Sequence, residues 1–152
     1  GDAAELLGPT FRHSEVELEC RVAAERLIVA GDQKALEQVA WNLLFNALEA
    51  VQNVAGLRSV VVELSRGVSN QARLVVEDSG PGPSEAIGRQ LFEPFATDKP
   101  SGTGLGLAVV KTIVSEHHGT LAWDRLDRST RFTVDLPLIE VREEHGALAP
   151  CR

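Results

Sequence analysis

Apolar and polar residues alternate near the start of the chain and then change to a helical period. Residues 16–22 alternate between apolar and charged side chains, which is typical of a half-buried strand. Residues 27–30 predict a second, short strand. From position 34 to about 54 the apolar residues fall on one face at ~100° per residue. This predicts a long amphipathic helix with Asp32 as its N-cap and Gly56 as its terminator.

The second half of the sequence predicts two strand pairs and two further helices. The predicted elements are strands 59–66 and 71–78, helices 84–91 and 105–117, and strands 121–125 and 130–136. Gly119 is expected to end the last helix. The order ββ-α-ββ-α-loop-α-ββ indicates an α+β fold. We expect a two-layer α/β sandwich, with a mixed, mainly antiparallel sheet carrying about three helices on one face.

Composition places the chain among ordinary globular domains. At 152 residues one domain is expected, with a core over about 14–138 and loosely ordered tails at 1–10 and 140–152. The net charge of −7 argues against binding nucleic acid or an anionic membrane surface. The sequence has no methionine and begins at Gly1, which suggests a domain taken from a longer protein.

Two cysteines and the absence of a long apolar run indicate the compartment. Cys20 and Cys151 are interpreted as free thiols in a reducing environment. No apolar segment approaches the ~20 residues that span a bilayer. A cytoplasmic location is therefore expected for this part of the protein, while a membrane anchor elsewhere in the parent protein stays open.

Amide side chains recur every four residues on the long predicted helix. Gln38, Asn42 and Asn46 therefore share one side of it. An amide oxygen is a hard ligand of the kind that Mg²⁺ takes beside phosphate oxygens and water. Taken alone, the spacing favours the simpler interpretation of solvated or capping amides.

A carboxylate ends the strand 71–78 and is followed by a turn of glycines and prolines. Asp78 could accept a hydrogen bond from an exocyclic amine, while Gly80 and Gly82 would let a flat base approach the backbone. A surface turn capped by the aspartate is the alternative, and it is the stronger one for this motif alone.

Alternating glycines at 102–106 precede the last helix. Backbone N–H groups at a helix N-terminus attract phosphate, although a hinge entering the helix would have the same composition. Before them lies an aperiodic loop in which Phe92 and Phe95 are expected to anchor a lid over 92–102. Lys99, in this lid, could reach a terminal phosphate, although a solvated lysine explains it equally well.

In this order the four segments resemble the nucleotide-binding catalytic domain of sensor histidine kinases. That domain belongs to the superfamily of gyrase, Hsp90, histidine kinase and MutL ATPases, and the resemblance covers roughly 16–136. Residues 38–51 are similar to the N box, 78–82 to the G1 box, 92–95 to the F box and 102–107 to the G2 box. The resemblance implies a Bergerat-type ATP-binding fold with ATP and Mg²⁺ as cofactors.

The resemblance also implies a role for each matching residue. Asp78 would bind the adenine amine, Asn46 and Asn42 would be ligands of Mg²⁺, and Asn42 and Lys99 would act in phosphoryl transfer. The other cofactor-binding residues that it implies are Gly80, Gly82, Phe95, Gly102, Thr103, Gly104, Leu105 and Gly106.

Hydrolytic members of the superfamily carry a general-base glutamate where this chain has Asn42. An amide cannot take a proton at neutral pH, so the resemblance favours transfer to a histidine of a separate dimerisation domain, with a response regulator as an indirect partner. His13, His117, His118 and His145 do not match the acceptor pattern and are interpreted as structural or surface residues.

Two departures and two alternative functions remain. Ser79 stands where many relatives have Asn, and His118 where a second glycine is frequent. A binding module that holds nucleotide or a partner protein without productive transfer is the first alternative. An anti-sigma-factor serine kinase, which would share the pocket but act on a protein serine, is the second.

Overall fold

The computed structural model describes residues 15–97 and 104–140. Its elements are β1 (Glu17–Val22), α1 (Gln33–Val51), β2 (Ser59–Arg66), β3 (Gln71–Asp78), α2 (Glu85–Gly88), α3 (Gly106–Glu116), β4 (Thr120–Arg125) and β5 (Thr130–Pro137). The strands form one sheet in the order β1-β2-β3-β5-β4. β1 is parallel to β2, and the other neighbours are antiparallel. This confirms the predicted mixed, mainly antiparallel sheet. The tails expected at 1–10 and 140–152 lie outside the described residues, apart from residue 140.

The core lies between one face of the sheet and the apolar stripes of α1 and α3. α1 buries Val39, Leu43, Leu44, Ala47, Leu48 and Val51, and α3 buries Val110, Ile113 and Val114. Val60, Val76, Phe132 and Val134 face them from the sheet. Burying each large apolar side chain contributes about 1.5–3 kcal/mol. The two helices are therefore held by the same period-3.6 stripes that predict them.

α1 begins as predicted and ends about one turn early. Asp32 caps it, since its carboxylate accepts a hydrogen bond of 3.0 Å from the N–H of Ala35. After Val51 the N–H of Val54 turns back to the Val51 carbonyl at 3.2 Å. The carbonyl of Ala50, which the next helical turn would need, lies against Gly80 instead. Tertiary packing therefore ends the helix before Gly56.

α3 ends at Glu116, just before Gly119 as predicted, in a tight turn whose left-handed residue is His118. His118 has φ 59°, and the N–H of Gly119 reaches the Val114 carbonyl at 2.9 Å. A side chain at Gly119 would collide with the carbonyl oxygen of Asp135. The glycine is required by packing against β5, and the positive φ falls on the residue before it.

Two predicted elements are shorter in the structure. The strand expected at 27–30 is a single bridge between Val29 and Leu138, because only a few residues there run beside the end of β5. The helix expected at 84–91 is the single turn α2, capped by Ser84. No helix in the described ranges 15–97 and 104–140 is long and apolar enough to cross a bilayer.

The sheet face away from the helices carries ion pairs. The Arg73 guanidinium donates two hydrogen bonds, of 2.8 and 2.9 Å, to the Asp135 carboxylate. Glu77 accepts hydrogen bonds from Ser129 at 2.7 Å and from Arg131 at 2.9 Å. Burial alone would raise the pKa of Glu77, but these hydrogen bonds and the Arg131 charge outweigh it and lower that pKa.

Candidate functional site

A cleft of about 970 Å³ lies between α1, the loop after β3 and the ends of β4 and β5. Its size falls within the range of cavities that enclose a small ligand. Residues from three of the four predicted motifs line it, namely Asn42, Asn46, Asp78, Gly80, Gly82, Gly104 and Gly106, and Ala96 lines it just after the fourth motif, 92–95. The fold thus brings together motifs that are far apart along the chain.

Three polar side chains form a row across the sheet at one end of the cleft. Asp78 on β3 is opposite Thr130 on β5, and Thr130 is opposite Arg125 on β4. Directly opposed residues have their Cβ atoms about 4.5–5.5 Å apart. Asp78 and Thr130 are each 2% exposed, although every other buried position of this sheet face near them is apolar. A buried carboxylate and hydroxyl at a cleft are suited to binding a polar ligand edge.

Glycines allow the loop after β3 to lie close to these polar groups. The N–H of Gly80 donates a hydrogen bond of 2.9 Å to the Asp78 carboxylate. A Cβ at Gly80 would come within 2.6 Å of the Ala50 carbonyl oxygen. Gly82 has φ +77°, and a Cβ there would lie 2.9 Å from the Thr130 hydroxyl. Both glycines are therefore needed to seat this loop against α1 and the row.

The two asparagines of α1 lie one turn apart on the wall of the cleft, and both are half-buried. The side-chain amide of Asn42 donates a hydrogen bond of 3.1 Å to the carbonyl of Gly106. That bond uses its nitrogen, so the side-chain oxygen is the atom with which Asn42 could bind a metal or a phosphate. The solvated-amide interpretation does not hold for Asn42, which ties α1 to the start of α3.

The glycine-rich segment is described from Gly104 onward, and Gly102, Thr103 and Lys99 lie outside the described residues. Gly104 has φ +69°, and a Cβ there would overlap the backbone of Phe95. The N–H of Phe95 donates to the Gly104 carbonyl at 2.9 Å. Leu105 precedes α3 and is 39% exposed. A Cβ at Gly106 would meet nothing within 4 Å among residues 15–97 and 104–140, so these residues leave the first turn of α3 open to an approaching ligand.

The two phenylalanines of the predicted lid behave differently. Phe92 packs edge-on against Phe132, with ring centroids 6.3 Å apart. Phe95 is 74% exposed and has φ 66°. The expectation that both rings anchor this segment is therefore wrong for Phe95, because only the ring of Phe92 packs against the described core and that of Phe95 lies on the surface. The Gly104 carbonyl, rather than a ring contact, holds Phe95.

The sequence motifs miss Thr130 and Arg125, the two residues that form the row across the sheet with Asp78. Both lie in the strand pair that ends the fold and belong to none of the glycine- or asparagine-containing motifs. One signal was available for Thr130: it has the same parity as the buried Phe132 and Val134, so the period of two assigns its hydroxyl to the helix side of the sheet.

Ser79, which departs from the family pattern, and His117, which precedes the second departure, both have structural contacts. The Ser79 hydroxyl accepts a hydrogen bond of 2.9 Å from the Ser59 N–H and donates to the Leu57 carbonyl at 3.1 Å. His117 bonds to the Ile113 carbonyl through Nδ1 at 2.7 Å and accepts from the Asp32 N–H through Nε2 at 3.1 Å. These contacts confirm the structural interpretation of His117.

Comparison with known proteins agrees with this geometry. Residues 31–140 match the family described as "Histidine kinase-, DNA gyrase B-, and HSP90-like ATPase". The chain is 36% identical over 146 residues to the two-component sensor PprA of Pseudomonas aeruginosa, a match covering 93% of this chain and 16% of PprA. It therefore spans less than a fifth of that relative.

Solved structures show the same fold. The mycobacterial sensor histidine kinase MprB matches with a TM-score of 0.75 and 32% identity, covering 90% of this chain and 91% of that one. Full-length ShkA in complex with AMPPNP matches with a TM-score of 0.76 and 26% identity, covering 90% of this chain and 28% of that one.

Proposed function

The chain belongs to the histidine kinase-, DNA gyrase B-, and HSP90-like ATPases, as a histidine kinase ATPase domain of the sensor-kinase type, and we propose that it binds ATP for phosphoryl transfer to a histidine. The acceptor would lie on a separate dimerisation domain. The observation that carries this proposal is the buried carboxylate of Asp78 on the floor of a nucleotide-sized cleft.

Asp78 would bind the adenine base. Its carboxylate is 2% exposed and already accepts a hydrogen bond from the N–H of Gly80, which fixes its orientation. A carboxylate in this setting accepts well from the exocyclic amine of adenine, because a hydrogen bond to a charged group contributes about 1.5–3 kcal/mol. Gly80 and Gly82 would leave the space in which the flat base lies.

The phosphates would extend along α1 towards the start of α3. Gly104 and Gly106 line that end of the cleft, and the first N–H groups of α3 have no partner within the helix. Gly102, Thr103, Leu105 and Phe95 are proposed to surround the phosphates there, with Phe95 contributing through its backbone.

Mg²⁺ fits the donor set of α1. The described residues contain no group of three His, Cys, Asp or Glu side chains that could hold a metal by themselves. Mg²⁺ takes few protein ligands and shares its shell with phosphate oxygens and water, so Asn46 and Asn42 would hold it jointly with the nucleotide. When bound, the ion would offset the negative charge of the phosphates.

Transfer would rely on positioning rather than on a base in the cleft. The Asn42 amide cannot accept a proton and is bonded to Gly106, so it would orient the phosphates and not activate water. Lys99 would approach the terminal phosphate and stabilise its charge during transfer. Both roles suit a kinase that passes the phosphoryl group to a partner histidine.

Isothermal titration calorimetry with ADP tests the adenine role. Asp78→Asn should lose about tenfold or more in affinity, as expected for a charge-assisted hydrogen bond. Asp127→Asn is the matched control, because Asp127 lines the same cleft and is exposed. A folded Asp78→Asn chain that binds ADP as wild type does would contradict the proposal.

Titrations in Mg²⁺ and in EDTA test the metal role of Asn46. Asn46→Ala should lose affinity mainly in the Mg²⁺ titration, since only there does the ion link the amide to the phosphates. Equal losses in both would show that Asn46 supports the helix or the base instead. Phosphoryl transfer itself is tested by adding the dimerisation domain of the parent protein in trans with labelled ATP.

A further inference from the structure

Arg125 reaches from the exposed end of β4 back over the floor of the cleft. Its Nη1 donates a hydrogen bond of 2.9 Å to the Thr130 hydroxyl and one of 2.6 Å to the Gly80 carbonyl. Its Cδ lies 3.2 Å from the place where a Cβ of Gly82 would be. The guanidinium is thus fixed between the floor and the loop after β3.

The contact with Arg125 limits what the Thr130 hydroxyl can do. A threonine hydroxyl has one hydrogen and two acceptor sites, whereas a guanidinium only donates. Arg125 fills one acceptor site, and its positive charge opposes a second N–H group approaching the same oxygen. The Thr130 hydroxyl is therefore left to act as a donor.

The row across the sheet consequently has a fixed polarity. Its Asp78 end accepts hydrogen bonds, and its Thr130 and Arg125 end donates them. The adenine edge offers the complementary pattern, a donating 6-amino group beside an accepting ring nitrogen N1. Guanine has the reverse pattern, with an accepting 6-oxo group beside a donating N1–H.

We propose that Arg125 is a positioning residue for base specificity, which holds the Thr130 hydroxyl as a hydrogen-bond donor towards N1 of adenine. This inference rests on the proposed binding of adenine nucleotides in the cleft. Arg125 would act through Thr130 and would not itself take part in phosphoryl transfer.

Calorimetry with ADP and with 1-deaza-ADP, in which N1 is replaced by C–H, tests the inference. Wild type should bind ADP about five- to tenfold more tightly than the analogue, which is the scale of one neutral hydrogen bond. In Arg125→Met this preference should fall to less than twofold. Arg128→Met is the matched control, since Arg128 lines the cleft and carries the same charge, and it should keep the full preference.

Arg125 also holds the Gly80 carbonyl, and the ratio of the two affinities separates that support from the proposed role. Loss of loop support alone would weaken both nucleotides equally, and an unchanged ratio in Arg125→Met would overturn the inference. Arg125→Lys, which keeps a charged donor, should keep most of the preference. If the methionine variant does not fold, Arg125→Ala, which has neither charge nor donor, replaces it with the same expected loss of preference.

The wild-type result distinguishes this inference from the proposed function. A wild-type chain that binds ADP and 1-deaza-ADP equally would overturn the role of Arg125 and Thr130 while leaving nucleotide binding intact. A wild-type chain that binds neither nucleotide would overturn the proposed function and this inference with it.

Discussion

Replacing Gly106 with alanine should make the chain more stable and less able to bind nucleotide. Gly106 is the first residue of α3, and a Cβ there would meet no atom of the described residues within 4 Å. The added methyl group therefore clashes with nothing in the described part of the chain. Because glycine costs about 0.5–1 kcal/mol relative to alanine in a helix, the melting temperature should rise by about 1–4 °C for a chain of this size.

The same methyl group would occupy the space through which phosphates are proposed to approach α3. We expect the affinity for ADP to fall by about tenfold or more, because a phosphate cannot reach the helix N-terminus past a side chain. Thermal unfolding and calorimetry on Gly106→Ala measure the two effects. Gly104→Ala is the contrasting variant, since a Cβ there would overlap the Phe95 backbone and should lower stability.

Two results would refute this reasoning separately. A Gly106→Ala chain with a raised melting temperature and unchanged ADP affinity would show that phosphates do not approach this turn. A lowered melting temperature without ligand would show that the position is not open, whatever the binding result.

Three further predictions concern stability and the lid. Glu77→Gln should lower the free energy of unfolding at pH 7 by about 1 kcal/mol. In the folded chain the pKa of Glu77 lies below the ordinary 4.5. The stabilisation by its carboxylate is therefore present above pH 4.5 and fades as the pH falls through the lowered pKa. If chemical denaturation gave a difference between Glu77→Gln and wild type that is constant with pH, this prediction would be contradicted. His118→Gly should raise the free energy of unfolding by about 0.5–1 kcal/mol, since the αL penalty of a non-glycine residue exceeds the entropy cost of glycine, and a lower melting temperature would count against this. In wild type, a non-hydrolysable ATP analogue should protect residues 92–97 from hydrogen exchange more than ADP does, and Lys99→Ala should abolish this difference. Equal protection by both ligands in wild type would contradict the proposed contact of Lys99 with the terminal phosphate.

Much of the fold follows from local pattern. The stripe on α1 and the cap at Asp32 are properties of neighbouring residues, so the sequence is enough to predict them. The position of Asp78 at a strand end is local in the same sense. The sequence does not predict which residue lies next to Asp78 in the cleft. Thr130 takes that place only because β3 pairs with β5.

The differences have the same origin in tertiary contacts. Local rules predict that Gly119 ends α3, but they do not show that the approach of β5 leaves no room for a side chain there, or that His118 takes the left-handed conformation. Local rules likewise bury both phenylalanines of the lid, whereas only the ring of Phe92 packs against Phe132 and that of Phe95 is exposed. Neither outcome can be predicted without knowing which strand lies opposite.

The two bonds between α1 and α3 have a mechanical consequence. One joins Asp32 to His117 and the other joins Asn42 to Gly106. At 1.5 Å per residue the two attachment points are about 15 Å apart on α1 and about 17 Å apart on α3. The two hydrogen bonds thus join the helices at both ends of α3, and sliding one helix along the other would break both bonds. A widening of the cleft that keeps these bonds must therefore move the loop after β3 and the segment around Phe95, while α1 and α3 keep their relative position.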